Sequence, residues 1–174
     1  MPATYTLISS NVLTSSATSV TFSAIPTTYT DLVVRFSARS ENAAIIATIR
    51  TRLNGSTSSI YSLTRLVGDP SGTSASSSGV SSGTGFTSTY AVADSATSNT
   101  FSSGEIYIPS YTASQNKPIS TFSVSENNST EAYEQIAANL FSSTSAITSI
   151  SFDFASGINF LTGSSFYLYG ISNA

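Results

Sequence analysis

Glu126, Glu131, Glu134 and Asp153 are the side chains in this sequence whose types could do chemistry as a pair. Two carboxylates at a suitable separation suffice for glycoside hydrolysis, one as acid and the other as base or nucleophile. Nothing in their spacing brings two of them into one cleft, and solvated loop positions are the simpler reading. The chain has no histidine and no cysteine, so a Ser-His-Asp or Cys-His arrangement is excluded, as is a zinc site of the usual nitrogen and sulfur ligands. Gly79, Gly83 and Gly85 lie in a Ser-rich tract with no helical segment after them to offer its N-terminus to a phosphate. Asp69, Asp94 and the Glu126-Asn127-Asn128 cluster carry the oxygen ligands that calcium takes, but their spacing matches no calcium loop. The residues therefore predict a protein that is not an enzyme and carries no cofactor.

Binding side chains are the remaining source of function. All five arginines fall between Arg35 and Arg65, while the acidic residues after them are offset only by Lys117. Arg35 and Arg39 share one face of an extended segment, and Arg50 and Arg52 share one face of another. That spacing serves cross-strand ion pairing, or a basic stripe that steers the protein onto an acidic partner. Tyr107 and Tyr111 flank Pro109 near a turn, where an exposed ring could stack on a sugar or a partner protein; capping the edge of the core is the plainer role. These six residues are the candidate partner contacts. A net charge of −3 argues against nucleic acid as the main partner.

The elements that must position these groups read as strands. In Asp31–Ser40, Leu32, Val34, Phe36 and Ala38 fall on one side and Val33, Arg35, Ser37 and Arg39 on the other, the pattern of one buried and one wet face. Tyr5–Leu13, Ser19–Phe22, Ala47–Leu53, Ile60–Val67, Phe86–Val92, Phe101–Ile108, Ile119–Glu126, Ser149–Ala155 and Ser164–Ile171 follow in kind. Asn54-Gly55 between two apolar runs predicts a hairpin, since both residues tolerate positive φ. Asp69–Gly85 is Ser, Gly and Thr with one Pro, and predicts a long surface loop or an arm that orders on contact.

Tyr133–Phe141 admits two readings. Asn128-Ser-Thr-Glu131 has capping-box spacing, and Tyr133, Ile136, Ala137, Leu140 and Phe141 follow a helical period. As a strand, the segment would instead put Tyr133, Ala137 and Phe141 on one face together with Gln135 and Asn139. Charged residues make up only 9% of the 174, against 40% hydrophobic, which predicts one folded domain over residues 1–174 with a neutral surface that partners cover. About ten short strands with regular turn signals predict an all-β, antiparallel two-sheet β-sandwich, best suited to a jelly roll. No apolar run approaches the length of a membrane span, so no membrane partner is expected. The opening Met-Pro-Ala-Thr-Tyr has no basic segment and no apolar run, so synthesis in the cytoplasm is expected, with any export by another route.

Tyr5-Thr-Leu-Ile-Ser-Ser, Ile25-Pro-Thr-Thr-Tyr-Thr-Asp-Leu-Val-Val-Arg35, Asn54-Gly-Ser, Gly104-Glu-Ile-Tyr-Ile-Pro109, Ser125-Glu-Asn-Asn128, Ser145-Ala-Ile-Thr-Ser-Ile150 and Leu168-Tyr-Gly-Ile171 together resemble small virion proteins of tailed phages, frequent among marine and cyanobacterial phages. The resemblance covers nearly the whole chain and rests on turns and strand cores, not on a catalytic signature. It implies a jelly-roll head decoration (cement) protein on the virion capsid surface, a homotrimer bound to the major capsid protein, and it favours the strand reading of Tyr133–Phe141. The alternative is a receptor- or carbohydrate-binding domain of a tail fibre or spike. A glycan-cleaving enzyme using Glu126 or Glu131 is the third reading.

Overall fold

The computed structural model describes residues 4–68, 76–128, 131–155 and 157–172. They form twelve strands: β1 (Tyr5–Val12), β2 (Ser19–Phe22), β3 (Asp31–Ala38), β4 (Ile46–Leu53), β5 (Tyr61–Gly68), β6 (Ser76–Gly83), β7 (Phe86–Val92), β8 (Ser102–Ile108), β9 (Lys117–Val124), β10 (Glu134–Phe141), β11 (Ile150–Phe154) and β12 (Ser165–Ile171). No helix occurs among the described residues. The strands make an eight-stranded sheet, β1-β12-β3-β8-β9-β10-β5-β6, and a four-stranded sheet, β2-β11-β4-β7, in which the ladders are antiparallel. The protein is an all-β, two-sheet sandwich.

Successive strands alternate between the sheets along the chain except within β5–β6 and within β8–β9–β10, which stay in the large sheet. The consecutive pairs β5–β6 and β9–β10 together make up one end of that sheet. Without them, β1-β12-β3-β8 would face β2-β11-β4-β7, four strands over four. The two pairs double the width of the large sheet and carry it past its partner.

Apolar alternation builds the layer between the sheets. In β11, Ile150, Phe152 and Phe154 are buried while Ser151 and Asp153 face out. Phe166 in β12 is the hub: its ring lies 5.8 Å from Phe36, 5.1 Å from Phe152 and 5.2 Å from Phe160, tying both sheets together. Each such ring contributes about 2–3 kcal/mol by leaving water. Gly104 is required beneath this cluster, because a Cβ there would stand 2.2 Å from the Phe36 ring.

Two sequence expectations change. Asn54 (φ 53°) and Gly55 (φ 63°) do take the left-handed conformations of a tight turn, but the strands on either side do not pair. β4 runs in the small sheet and β5 in the large one, so the connection crosses between layers. Turn chemistry fixes the local reversal, and Ser56–Ile60 then carry the chain across. The Asn54 side chain is used elsewhere, donating to Ala146 O and accepting from Thr148 N, both at 2.8 Å. Second, Ser76–Gly83, expected to be loop, is the edge strand β6 paired with β5, with a bulge at Ser82 (φ 66°). The rest of that tract up to residue 75 lies outside the described residues. Of the two readings of Tyr133–Phe141, the strand holds: it contains β10, paired with β9 and β5; two residues of the capping box, 129 and 130, lie outside the described residues.

Candidate functional site: the outer face of the large sheet

The register of the ladders fixes which side chains share the solvent face of the large sheet. One row across it runs Tyr167, Arg35, Glu105, Phe122, Ile136 and Leu66, from β12 to β5. The neighbouring row runs Leu7, Tyr169, Val33, Tyr107, Ser120, Ala138 and Thr64. Two apolar ends result. At one end stand Tyr5, Leu7, Tyr167 and Tyr169, with the Tyr5 and Tyr169 rings 6.4 Å apart edge to face. At the other, Leu66, Phe122 and Ile136 lie side by side on β5, β9 and β10, and Ile136 is 52% exposed.

Between the ends sits one ion pair. Arg35 Nε donates to Glu105 Oε2 at 3.0 Å across the β3–β8 ladder. Both side chains are well exposed, so the pair adds little stability, but it leaves the centre of the face neutral. Tyr107 flanks it and donates its hydroxyl to Asp31 Oδ2 at 2.9 Å, while the Ser110 N–H donates to Asp31 Oδ1 at 2.7 Å. The hydrogen bond to Asp31, with burial adding to it, raises the Tyr107 pKa above its ordinary value. A groove of about 790 Å³ opens here, lined by Tyr107, Pro109, Pro118, Phe122, Ile136 and Leu66.

The six candidate contacts do not form one site. Arg35 and Tyr107 lie on the outer face as described. Arg50 and Arg52 lie on the opposite side of the sandwich, where Asp153 accepts from Arg50 Nε at 2.7 Å and from Arg52 Nη1 at 2.8 Å. Arg39 is not a surface residue. It follows β3, is 5% exposed, and its guanidinium donates to the carbonyls of Thr97 (2.8 Å), Thr100 (2.9 Å), Ala96 (3.1 Å) and Asp94 (3.3 Å). It clamps the loop between β7 and β8, which the fixed fork of donors suits. The basic stripe therefore does not exist, because ion pairing and loop clamping absorb its members.

Tyr111 is likewise withdrawn from any partner. It is 0% exposed, and its hydroxyl donates to Pro26 O. Burial raises its pKa. Lys117 is fully buried at the start of β9, donating to Ala113 O at 2.6 Å and Ser143 O at 3.5 Å.

Asp153 faces out from the small sheet and Glu134 from the large one, on opposite sides of the sandwich. Glu126 accepts from Asn128 N at 2.8 Å in the loop after β9. Among the described residues, no three His, Cys, Asp or Glu side chains gather as a metal site; Asp69 lies outside them.

Sequence reasoning missed Leu66, Phe122, Ile136 and Leu140. The signal was present as the helical period in β10. Ile136 and Leu140 alternate with Ala137 and Phe141 because this strand is apolar on both faces, and that mimics helical spacing. Compared with known proteins, the chain matches no family model, no curated protein and no solved structure.

Proposed function

We propose that this chain is a non-enzymatic structural protein that binds other protein subunits through the outer face of its large sheet, as a phage capsid decoration protein holding major capsid subunits together. The observation that carries this reading is the face itself: a broad sheet surface with apolar groups at both ends and the Arg35–Glu105 ion pair between them. Such a face offers area and shape, not chemistry. The aromatic end, with Arg35 beside Tyr167 and Tyr169, has the residue types that dominate binding energy at protein interfaces. The virion resemblance of the sequence supports the same assignment, and the alternating strand order supports reading the fold as a jelly roll extended by two hairpins. In this reading copies of the chain associate, as a homotrimer, on the capsid surface.

A second reading is favoured by the groove beside Tyr107 and Phe122. An open apolar groove with aromatic walls on a sheet face also suits a carbohydrate, as in the binding head of a tail fibre.

Co-sedimentation with undecorated phage heads, run beside whole host cells, separates the two. Saturable binding to heads, with those heads becoming more resistant to heat or low salt, is the outcome expected of a decoration protein. Binding to cells and not to heads moves the protein to the tail.

A further inference from the structure

The hairpin β9–β10 is built inside out. Its inward side chains are mostly polar: Thr121 and Ser123 from β9, Gln135 and Asn139 from β10, all buried. Its outward side chains include Phe122, Val124, Ile136 and Leu140, and β5 adds Leu66 beside them. The inward face rests on β7, the edge of the small sheet, through contacts such as Thr121 Oγ1 to Ser88 O at 3.2 Å. Both polar atoms of the Gln135 amide and Oδ1 of Asn139 are buried there with no hydrogen-bond partner in the protein. A shift of one residue in strand register would exchange the two faces. The observed register therefore exposes apolar groups and buries unsatisfied polar ones, which is unfavourable for an isolated monomer.

We infer that the outer face of β5, β8, β9 and β10, centred on Phe122 and Ile136, is covered by the same face of a second copy of this chain. Three features select that occupant. Its centre, Phe122, Ile136, Leu66 and Leu140, is apolar and holds no Arg or Lys, the make-up of interfaces between permanently associated identical subunits; Tyr5, Tyr167, Tyr169 and Arg35, suited to a heteromeric contact, sit at the other end of the sheet. Its charge is compatible with itself, because Arg35 and Glu105 at its border neutralise each other and can exchange partners across a two-fold axis, while Glu134 stands at the start of β10, at the rim. Its size also suffices. Four strands from β8 to β5, about 4.8 Å apart and some eight residues long at ~3.3 Å each, present roughly 500 Å². Two such faces bury about 1,000 Å² in all, the threshold for a specific interface. Sheets stacked in this way pack ~10 Å apart with their outward side chains interleaved.

This inference concerns self-association alone and not capsid binding: a two-fold contact gives a dimer where the proposed function expects a homotrimer, and the sedimentation coefficient separates the two. The test is sedimentation velocity of the purified protein across the micromolar range, for the wild type and for Ile136→Glu and Phe122→Lys. Both side chains point to solvent in the monomer, so folding is preserved and the β-sheet circular dichroism is the check. Tyr169→Glu, at the far end of the face, is the control. The expected result is an oligomeric wild type and control, with self-association of the two patch variants weakened about tenfold or more. A monomeric wild type, or patch variants that stay oligomeric, overturns it. If the wild type is monomeric yet binds heads in an Ile136-dependent way, the capsid is the occupant: the inference fails while the decoration reading stands.

Discussion

Phe122 and Ile136 face each other across the β9–β10 ladder and both point to solvent, while Ser123 and Gln135, one step along the same strands, face each other in the interior. This inversion separates the two halves of the large sheet. Over β3, β8 and β12 the interior is a continuous apolar layer. Over β9 and β10 the interior mixes the polar Thr121, Ser123, Gln135 and Asn139 with Ile119, Ala137 and Phe141, while the exterior carries Phe122, Val124, Ile136 and Leu140. The core strands hold the fold together, and the extension presents a surface.

The Gln135 amide makes this a stability prediction. Removing a buried group with no partner relieves its desolvation cost, so Gln135→Met is expected to raise unfolding stability by about 1 kcal/mol. Urea unfolding of the two proteins measures it. A loss of similar size would mean that the amide is satisfied in solution.

Arg39 predicts the opposite sign. Lysine keeps the charge but lacks the fork that reaches the carbonyls of Asp94, Ala96, Thr97 and Thr100. Arg39→Lys should cost about 2 kcal/mol or more, and speed hydrogen exchange at the amides of this loop before those of β3. Unchanged exchange would show that the clamp is dispensable.

Much of this framework was legible in the sequence. The alternation in Asp31–Ala38 and Ile150–Phe154 gave both strands and their buried faces, because a two-residue period on a half-buried sheet leaves little choice. Four things were not legible, each for a physical reason. Ser76–Gly83 carries almost no side-chain signal, and it is a strand because β5 offers it a ladder. Asn54-Gly55 set a turn but not which sheet each flank would join. Arg39 read as a surface group, and Tyr111 could be read as a core cap or as a partner contact, because only the fold shows Arg39 among loop carbonyls and the Tyr111 hydroxyl at Pro26. Ile136 and Leu140 read as a helical stripe, because a strand apolar on both faces resembles one.

Alkaline pH gives a further prediction. The pKa values of Tyr61 and Tyr111 are raised mainly by burial, and that of Tyr107 mainly by its hydrogen bond to Asp31. The unfolded chain therefore releases these protons first, near pH ~10, and binds fewer than the native state above it. The tyrosines' contribution is complete below that pH and is lost as pH rises through the folded values. The urea midpoint should fall above about pH 10, and less steeply in Tyr107→Phe. A variant slope equal to that of the wild type would contradict the shift at Tyr107.

The most direct test of the docking face is a titration of undecorated phage heads with three proteins. These are the wild type, a Tyr167→Ser/Tyr169→Ser variant of the outer face, and Thr48→Glu, which alters the solvent face of the small sheet. The account predicts saturable binding by the wild type and by Thr48→Glu, and loss of binding by the tyrosine variant. Equal binding by all three, or no binding to heads by the wild type, would contradict it.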